Sequence, residues 1–452
     1  MKITHLNSAT EIIEVNGVKI LTDPWLDDGI YYGSWYTYPP YDSKNNRLIK
    51  DIDYIKISHI HPDHFCEKTL AKIDKSIPVL ILNYAEKFVL KKLERLGFEN
   101  IIELDHNVRT LLKKGVYINI IAADNCNPEI CGHAFGCFFN DNKSGKTYQI
   151  DSMSVIDNGE HVLLNTNDCP YPLAHESVNL IKEKYKKIDF MLVGYSAASL
   201  YPFVMKDYSD KEMNIAKNNT KIKCLNFALN FIKDLNPEHY MPFAGSYVLG
   251  GKNWELNKFS PIPNLDEARD YLDSKLEKLA ISSKCILINS GESFDIKSLS
   301  QTKKYIPIDE NEKLNYLKNS LSLKKFDYEL NSNKSIKDLL ELIEPAFKRF
   351  KDKVKQIGFK TNTKIIITLS SDKYLVIDMS KQMPVYKFSD SYEKIAKPNI
   401  LFELDNRLLF DVLRGPRYAH WNNVEIGSLM RMKRNPDVYE QGIHLSLCYF
   451  HV

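Results

Sequence analysis

The stretch Tyr54-Ile55-Lys56-Ile57-Ser58-His59-Ile60-His61-Pro62-Asp63-His64-Phe65 sets three imidazoles and a carboxylate side by side, directly after an alternating apolar run. Residues two apart on a strand point the same way, so His59 and His61 leave the strand end together, toward one cation. The turn after them swings Asp63 and His64 toward a second. Two adjacent metal ions follow from that spacing. The motif alone does not choose the metal, since imidazole and carboxylate serve zinc and iron alike.

Upstream, apolar runs over 2–5, 11–15 and 18–22 read as a meander, with Asn16-Gly17 as a hairpin turn and Asp23-Pro24 closing the last strand. A loop rich in Trp, Tyr and Pro follows from Trp25 to Tyr41, and long aromatic loops beside a metal strand wall pockets or order a surface. Downstream, the periodicity predicts a helix over 67–73, a strand over 79–82, a helix over 85–96 and strands through residue 121. A second round predicts strands over 147–150 and 161–164, a helix over 176–185, a strand over 190–193, a long helix over 215–235 and a strand over 240–243. This alternation implies an α/β fold with helices outside the sheets.

The chain of 452 residues exceeds one ordinary core, and its 44% hydrophobic and 11% aromatic content can fill more than one. Lys, Asn and Ser dominate 303–335, which reads as a linker. The expected organisation is therefore a catalytic unit at 1–300, a linker at 301–335 and a C-terminal α+β unit at 336–452. In that last unit a helix over 336–357, strands over 364–369, 374–378 and 399–403, and a helix over 407–413 are predicted. Basic and acidic residues nearly balance, 61 against 58, and the Lys-rich runs are scattered as solvated helix faces, which excludes a nucleic-acid footprint. No leader-like segment opens the sequence and no run nears the ~18 apolar residues of a membrane span, so a cytoplasmic protein without membrane partner is expected. Eight unevenly spaced cysteines suit reduced thiols rather than a disulfide scaffold.

The strand-end H-x-H-x-D-H pattern resembles the metallo-β-lactamase fold superfamily at every position. That resemblance implies a four-layered αββα sandwich for 1–300. The order of elements after residue 336 resembles the sterol-carrier-like domains appended to some enzymes of that superfamily. A narrower resemblance joins Asp23-Pro24-Trp25-Leu26, the loop ending Pro39-Pro40, the 57–64 motif, Leu164-Asn165-Thr166-Asn167-Asp168-Cys169 and Tyr240-Met241-Pro242-Phe243-Ala244-Gly245. Together they are similar to the metallo-β-lactamase-type domain of CMP-N-acetylneuraminate hydroxylases.

The resemblance implies the rest of the site. Asp124, at the end of the 117–124 run, takes the place of a usual histidine as third ligand, with His133 as its competitor. Asp168 takes the place of the bridging carboxylate, which can span two cations with its two oxygens. Ala244 stands where a further histidine is usual, and His239 lies ahead of that strand as a structural residue. Asp23 is expected to hydrogen-bond a ligating imidazole, Trp25 and Trp35 to wall the pocket, and Tyr195 and Ser196 to face substrate.

His59, His61, Asp63, His64, Asp124 and Asp168 make three imidazoles and three carboxylates without a thiolate, a set that favours iron, with zinc or manganese as alternatives. Asp63 and Asp168 are the expected catalytic acids. The expected function is a di-iron oxygenase or hydroxylase acting on a polar, sugar- or nucleotide-linked small molecule, the substrate class resting on the resemblance. The alternatives are a metal-dependent hydrolase of a phosphoester, lactone or amide using a bridging hydroxide, and a non-catalytic lipid- or ligand-binding protein. The hydroxylases carry a Rieske domain. Here Cys131-Gly132-His133 offers only half of such a cluster motif, so a separate electron donor is expected.

Overall fold

The computed structural model describes residues 1–124, 149–196, 198 and 200–452. Among these, two large sheets hold the first three hundred residues. The first runs, edge to edge, Ser300–Gln301, Ser293–Asp295, Lys2–Asn7, Thr10–Val15, Val18–Thr22, Tyr54–Lys56, Val79–Leu82 and Ile101–Leu104. The second runs Lys284–Cys285, His239–Phe243, Phe190–Gly194, Val162–Asn165, Ser152–Asp157, Tyr117–Ala122 and Thr110–Leu111.

The two-residue period of the strands decides the layering. Ile118, Ile120, Ile156, Leu163, Phe190, Leu192 and Met241 point inward and pack with Ile3, Ile13, Ile20, Ile55 and Leu80 of the first sheet in one buried cluster. Their neighbours Ile121, Val155, Leu164, Met191, Val193 and Tyr240 point the other way, onto Ile181, Leu225, Phe231 and Leu272 of three helices, His175–Lys184, Asp210–Leu235 and Leu265–Lys278. Leu70 and the helix Phe88–Arg95, through Val89 and Leu93, cover the first sheet. The result is the αββα layering.

The long helix starts at Asp210, five residues ahead of the periodicity that predicts it at 215, because Ser209 and Glu212 form a reciprocal capping box. It ends at Asn236, whose φ of 42° is left-handed. The strand expected over 147–150 is instead Ser152–Asp157, residues 147 and 148 lying outside the described ones.

Between the large sheets and the last unit, 301–335 carries the helix Glu310–Asn319 and two short 3-10 turns, and buries Leu317, Leu321, Phe326 and Tyr328. The remaining five-stranded sheet runs Val385–Ser389, Lys373–Asp378, Lys364–Ser370, Asn399–Leu404 and Met430–Asn435, with the helix Ile336–Ile357 packed on it. Its edge strand is tied to the first part of the chain. Met432 N donates to Val204 O at 2.7 Å and Lys206 N to Met432 O at 2.9 Å. No helix of the described residues is long and apolar enough to cross a membrane.

Candidate metal centre

The site lies along one edge shared by both large sheets. Tyr54–Lys56 is parallel to its neighbours Val18–Thr22 and Val79–Leu82, so Asp23 and His59 emerge at the same end. In the second sheet, Val162–Asn165 delivers Asp168 at its end. Ser152–Asp157 is antiparallel to Tyr117–Ala122, with Ser152 opposite Ala122, so the residue before its start, Asp151, reaches the same edge.

Two sets of ligating groups converge there. His59, His61 and Asp151 form one, and His59, His64 and Asp168 the other; within each, the ligating atoms lie within 4.8 Å of one another. His59 Nε2 is 2.9 Å from His61 Nδ1 and 3.8 Å from Asp151 Oδ1. His64 Nε2 is 3.2 Å from Asp168 Oδ1 and 3.6 Å from Asp63 Oδ2. Asp63 Oδ2 and Asp151 Oδ1 are buried with no hydrogen-bond partner among the described residues, a costly state that a nearby cation would relieve.

A supporting network sets the imidazoles. Ser58 donates its N–H to Asp23 Oδ1 and its hydroxyl to Asp23 Oδ2, each at 2.6 Å. The same hydroxyl oxygen faces His59 Nδ1 at 2.9 Å, and His64 Nδ1 lies 2.9 Å from Asp23 Oδ2. With the hydroxyl proton spent on Asp23, protons on both Nδ1 atoms satisfy these contacts, and both rings present Nε2 to the centre. The hydroxyl of Tyr31 donates to Asp63 Oδ1 at 2.6 Å. Tyr31, Asp23, Asn167 and Ala244 all take left-handed backbone, the strained geometry that gathers at functional sites.

Electrostatics follows from burial. Burial, helped by His64 and His61, holds His59 well below the usual imidazole range, so its lone pair is free. Burial lowers His61 as well. At His64 burial acts downward but Asp168 and Asp63 override it, raising it well above an ordinary histidine. Asp63 is raised by burial, and Asp151 is pushed up to about 7 by burial and by Asp168. Ligation needs Asp151 ionised and His64 neutral, and below pH 7 each is the disfavoured form in the metal-free site. Metal uptake is therefore expected to release protons and to weaken about tenfold per pH unit and per group as pH falls below 7, which titrations at several pH values check.

Of the expected ligands, His59, His61, Asp63, His64 and Asp168 come together. Asp124 does not. Its carboxylate accepts from the N–H groups of Glu176 and Ser177 at 2.7 and 2.8 Å, capping the helix His175–Lys184, where the helix dipole favours an anion. Asp151 stands in its place, and His133 lies outside the described residues. Asp23 occupies the supporting position expected of it. Trp25 and Trp35 are wholly buried, packed with Tyr31 and Tyr247 behind the site. Tyr195 and Ser196 are engaged with backbone, the first through Pro263 O at 3.3 Å and the second through Gly245 O at 2.9 Å. Sequence reasoning missed Asp151, Tyr31 and Ser58. An acid opening an antiparallel strand, beside one that ends there, is the signal that could have found Asp151.

Comparison with known proteins finds likenesses over parts of this chain. Residues 2–151 match the model of the beta-lactamase superfamily domain. A Mycolicibacterium smegmatis protein named as a Rieske 2Fe-2S iron-sulfur protein is 28% identical over 209 residues, 45% of this chain and 36% of that protein. The cytidine monophosphate-N-acetylneuraminic acid hydroxylase of Asterias rubens is 22% identical over 467 residues, 97% of this chain and 64% of that enzyme. The chain thus spans less than two thirds of the length of either relative. A solved structure of CmlA, a diiron β-hydroxylase from Streptomyces venezuelae, aligns at 15% identity and a TM-score of 0.41 over 64% of this chain and 53% of that one. Residues 2–151 match a beta-lactamase superfamily domain, and they contribute strands to both large sheets of the αββα body.

Proposed function

We propose that this chain is a dinuclear metal enzyme, a di-iron oxygenase or hydroxylase whose substrate is a polar, sugar- or nucleotide-linked metabolite. The observation that carries the reading is the donor set itself, three imidazoles and the carboxylates of Asp63, Asp151 and Asp168 gathered in one cluster, which suits iron or manganese before a thiolate-loving metal. The neighbouring thiol stays out of it. Burial raises Cys169 well above an ordinary cysteine, and its Sγ lies 3.7 Å from Leu173 O. The hydroxylase likeness along nearly the whole chain supports the substrate class.

His59, His61 and Asp151 would hold one ion; Asp63, His64 and Asp168 the other. Two bound irons would supply the binding and reductive activation of dioxygen. Asp23 and Ser58 orient His59 and His64 through hydrogen bonds. Tyr31 keeps its proton, because burial and then Asp63 raise it well above a free phenol, and it fixes the rotation of the Asp63 carboxylate. His61, Asp151 and Asp168 are the half-buried members, and they mark the face open to substrate. Placing one oxygen atom of dioxygen in a C–H bond and reducing the other to water consumes two electrons and two protons beyond the substrate. A separate electron donor, such as a reduced iron-sulfur protein, is part of the proposal.

The test is oxygen consumption by the iron-loaded chain with a chemical reductant and candidate nucleotide sugars under isotopically labelled dioxygen. Labelled oxygen in the product supports the reading. Product formed without dioxygen, with its oxygen drawn from water, contradicts it and assigns the site to hydrolysis.

A further inference from the structure

One polar contact at the metal centre comes from the far end of the chain. His61 Nε2 lies 3.3 Å from Asn422 Oδ1, on the helix Trp421–Ile426. The other ring nitrogen, Nδ1, faces His59 Nε2. A carbonyl oxygen only accepts, so Asn422 selects the tautomer with its proton on Nε2 and turns the Nδ1 lone pair to the centre. A proton on Nδ1 would instead be spent on His59 and close the first metal position.

The segment that carries Asn422 is held on both flanks. His420 N donates to the Tyr32 hydroxyl oxygen at 2.8 Å, and the Ser34 hydroxyl donates to Gly427 O at 2.5 Å. A Cβ at Gly427 would lie 3.0 Å from Tyr31 Cβ and 3.0 Å from Asn423 O, so the backbone there presses directly on the turn that aims Tyr31 at Asp63. Asn253 Nδ2 donates to Ser428 O at 2.7 Å, and Trp421 is buried with Nε1 on Glu425 Oε1 at 2.8 Å.

We infer that Asn422 is a positioning residue of the metal centre, fixing His61 as the Nε2–H tautomer, and that residues 420–428 are an integral part of that centre. One metal position then depends on Asn422 directly and the other on Gly427 through Tyr31. The inference rests on the metal-centre reading above, and the experiment separates the two.

Chelator competition with zinc and with ferrous iron, run on the full chain, compares the parent with N422L and N422D. N422L keeps the side-chain size but removes the acceptor, and its affinity is expected to fall ~10–100-fold, the usual cost of losing a partner outside the ligand shell. N422D keeps the acceptor and is expected to bind at least as tightly as the parent. N422L binding like the parent, or N422D binding as poorly as N422L, overturns the inference and leaves the metal centre standing. A parent that binds no metal removes the metal centre itself and the inference with it. Should N422L fail to fold, the zinc-loaded parent decides. Nitrogen NMR of labelled histidines is expected to show His61 protonated on Nε2, and protonation on Nδ1 overturns the proposal.

Discussion

Replacing His59 by alanine is expected to empty the metal position it shares with His61 and Asp151, to weaken the neighbouring one and to abolish turnover. His59 belongs to both groups of converging ligands, and its ring lies 4.7 Å from that of His61 and 4.2 Å from that of His64. It is wholly buried, and its imidazole is neutral at physiological pH, so no water-exposed substitute can take over its lone pair. Removing a first ligand must cost more than removing a supporting partner, so affinity should fall by more than ~100-fold at the position held with His61 and Asp151. The fold should survive, because Ser58 and Asp23 remain bonded to each other when the imidazole is gone. Metal content by elemental analysis, with the circular dichroism of the metal-free protein alongside, checks this. Full metal occupancy in the folded variant would show that the ions sit elsewhere.

Asp23→Ala is expected to damage stability and metal binding together. Asp23 is wholly buried and accepts two hydrogen bonds from Ser58, while His64 Nδ1 lies beside its second oxygen. Its loss leaves buried donors without an acceptor and a raised, charge-prone His64 without its partner, a change that costs ~3–5 kcal/mol in comparable buried pairs. Metal affinity should fall by a further ~10–100-fold as His59 and His64 lose their orientation. Asp23→Asn keeps an oxygen for the Ser58 N–H and should lie between the parent and the alanine variant. Urea unfolding of the metal-free proteins measures the first effect and chelator competition the second. If Asp23→Ala matched the parent in both, Asp23 would be a turn residue and nothing more.

How much of this was legible in the sequence depended on how local the signal was. The strand, turn and histidine motif of 54–65 could be read because alternation and spacing are properties of a few consecutive residues. So could the meander before it, the strands Val162–Asn165 and Phe190–Gly194, and the convergence of His59, His61, Asp63, His64 and Asp168. Asp124 lies apart from the histidines, although expected among them, because two acids lie at the same sheet edge and only the pairing of antiparallel strands tells them apart. The one that ends its strand caps a helix, and the one that precedes the next strand faces the histidines. Tyr31 and Asn422 were out of reach for another reason. One depends on a left-handed turn within an aromatic loop, and the other on a contact across 361 positions of sequence. Trp25 and Trp35 were placed in the right neighbourhood but serve as packing, since aromatic content reports burial more readily than it reports substrate contact.

The claim on which the account stands is that one buried cluster holds a pair of metal ions. Its most direct measurement is an anaerobic titration of the metal-free chain with ferrous iron, followed by calorimetry, with the His59→Ala chain as control. The account predicts two ions per parent chain, proton release on binding, and loss from the variant of the ion held by His59, His61 and Asp151. Saturation at no ion, or binding that His59→Ala leaves unchanged, would contradict it.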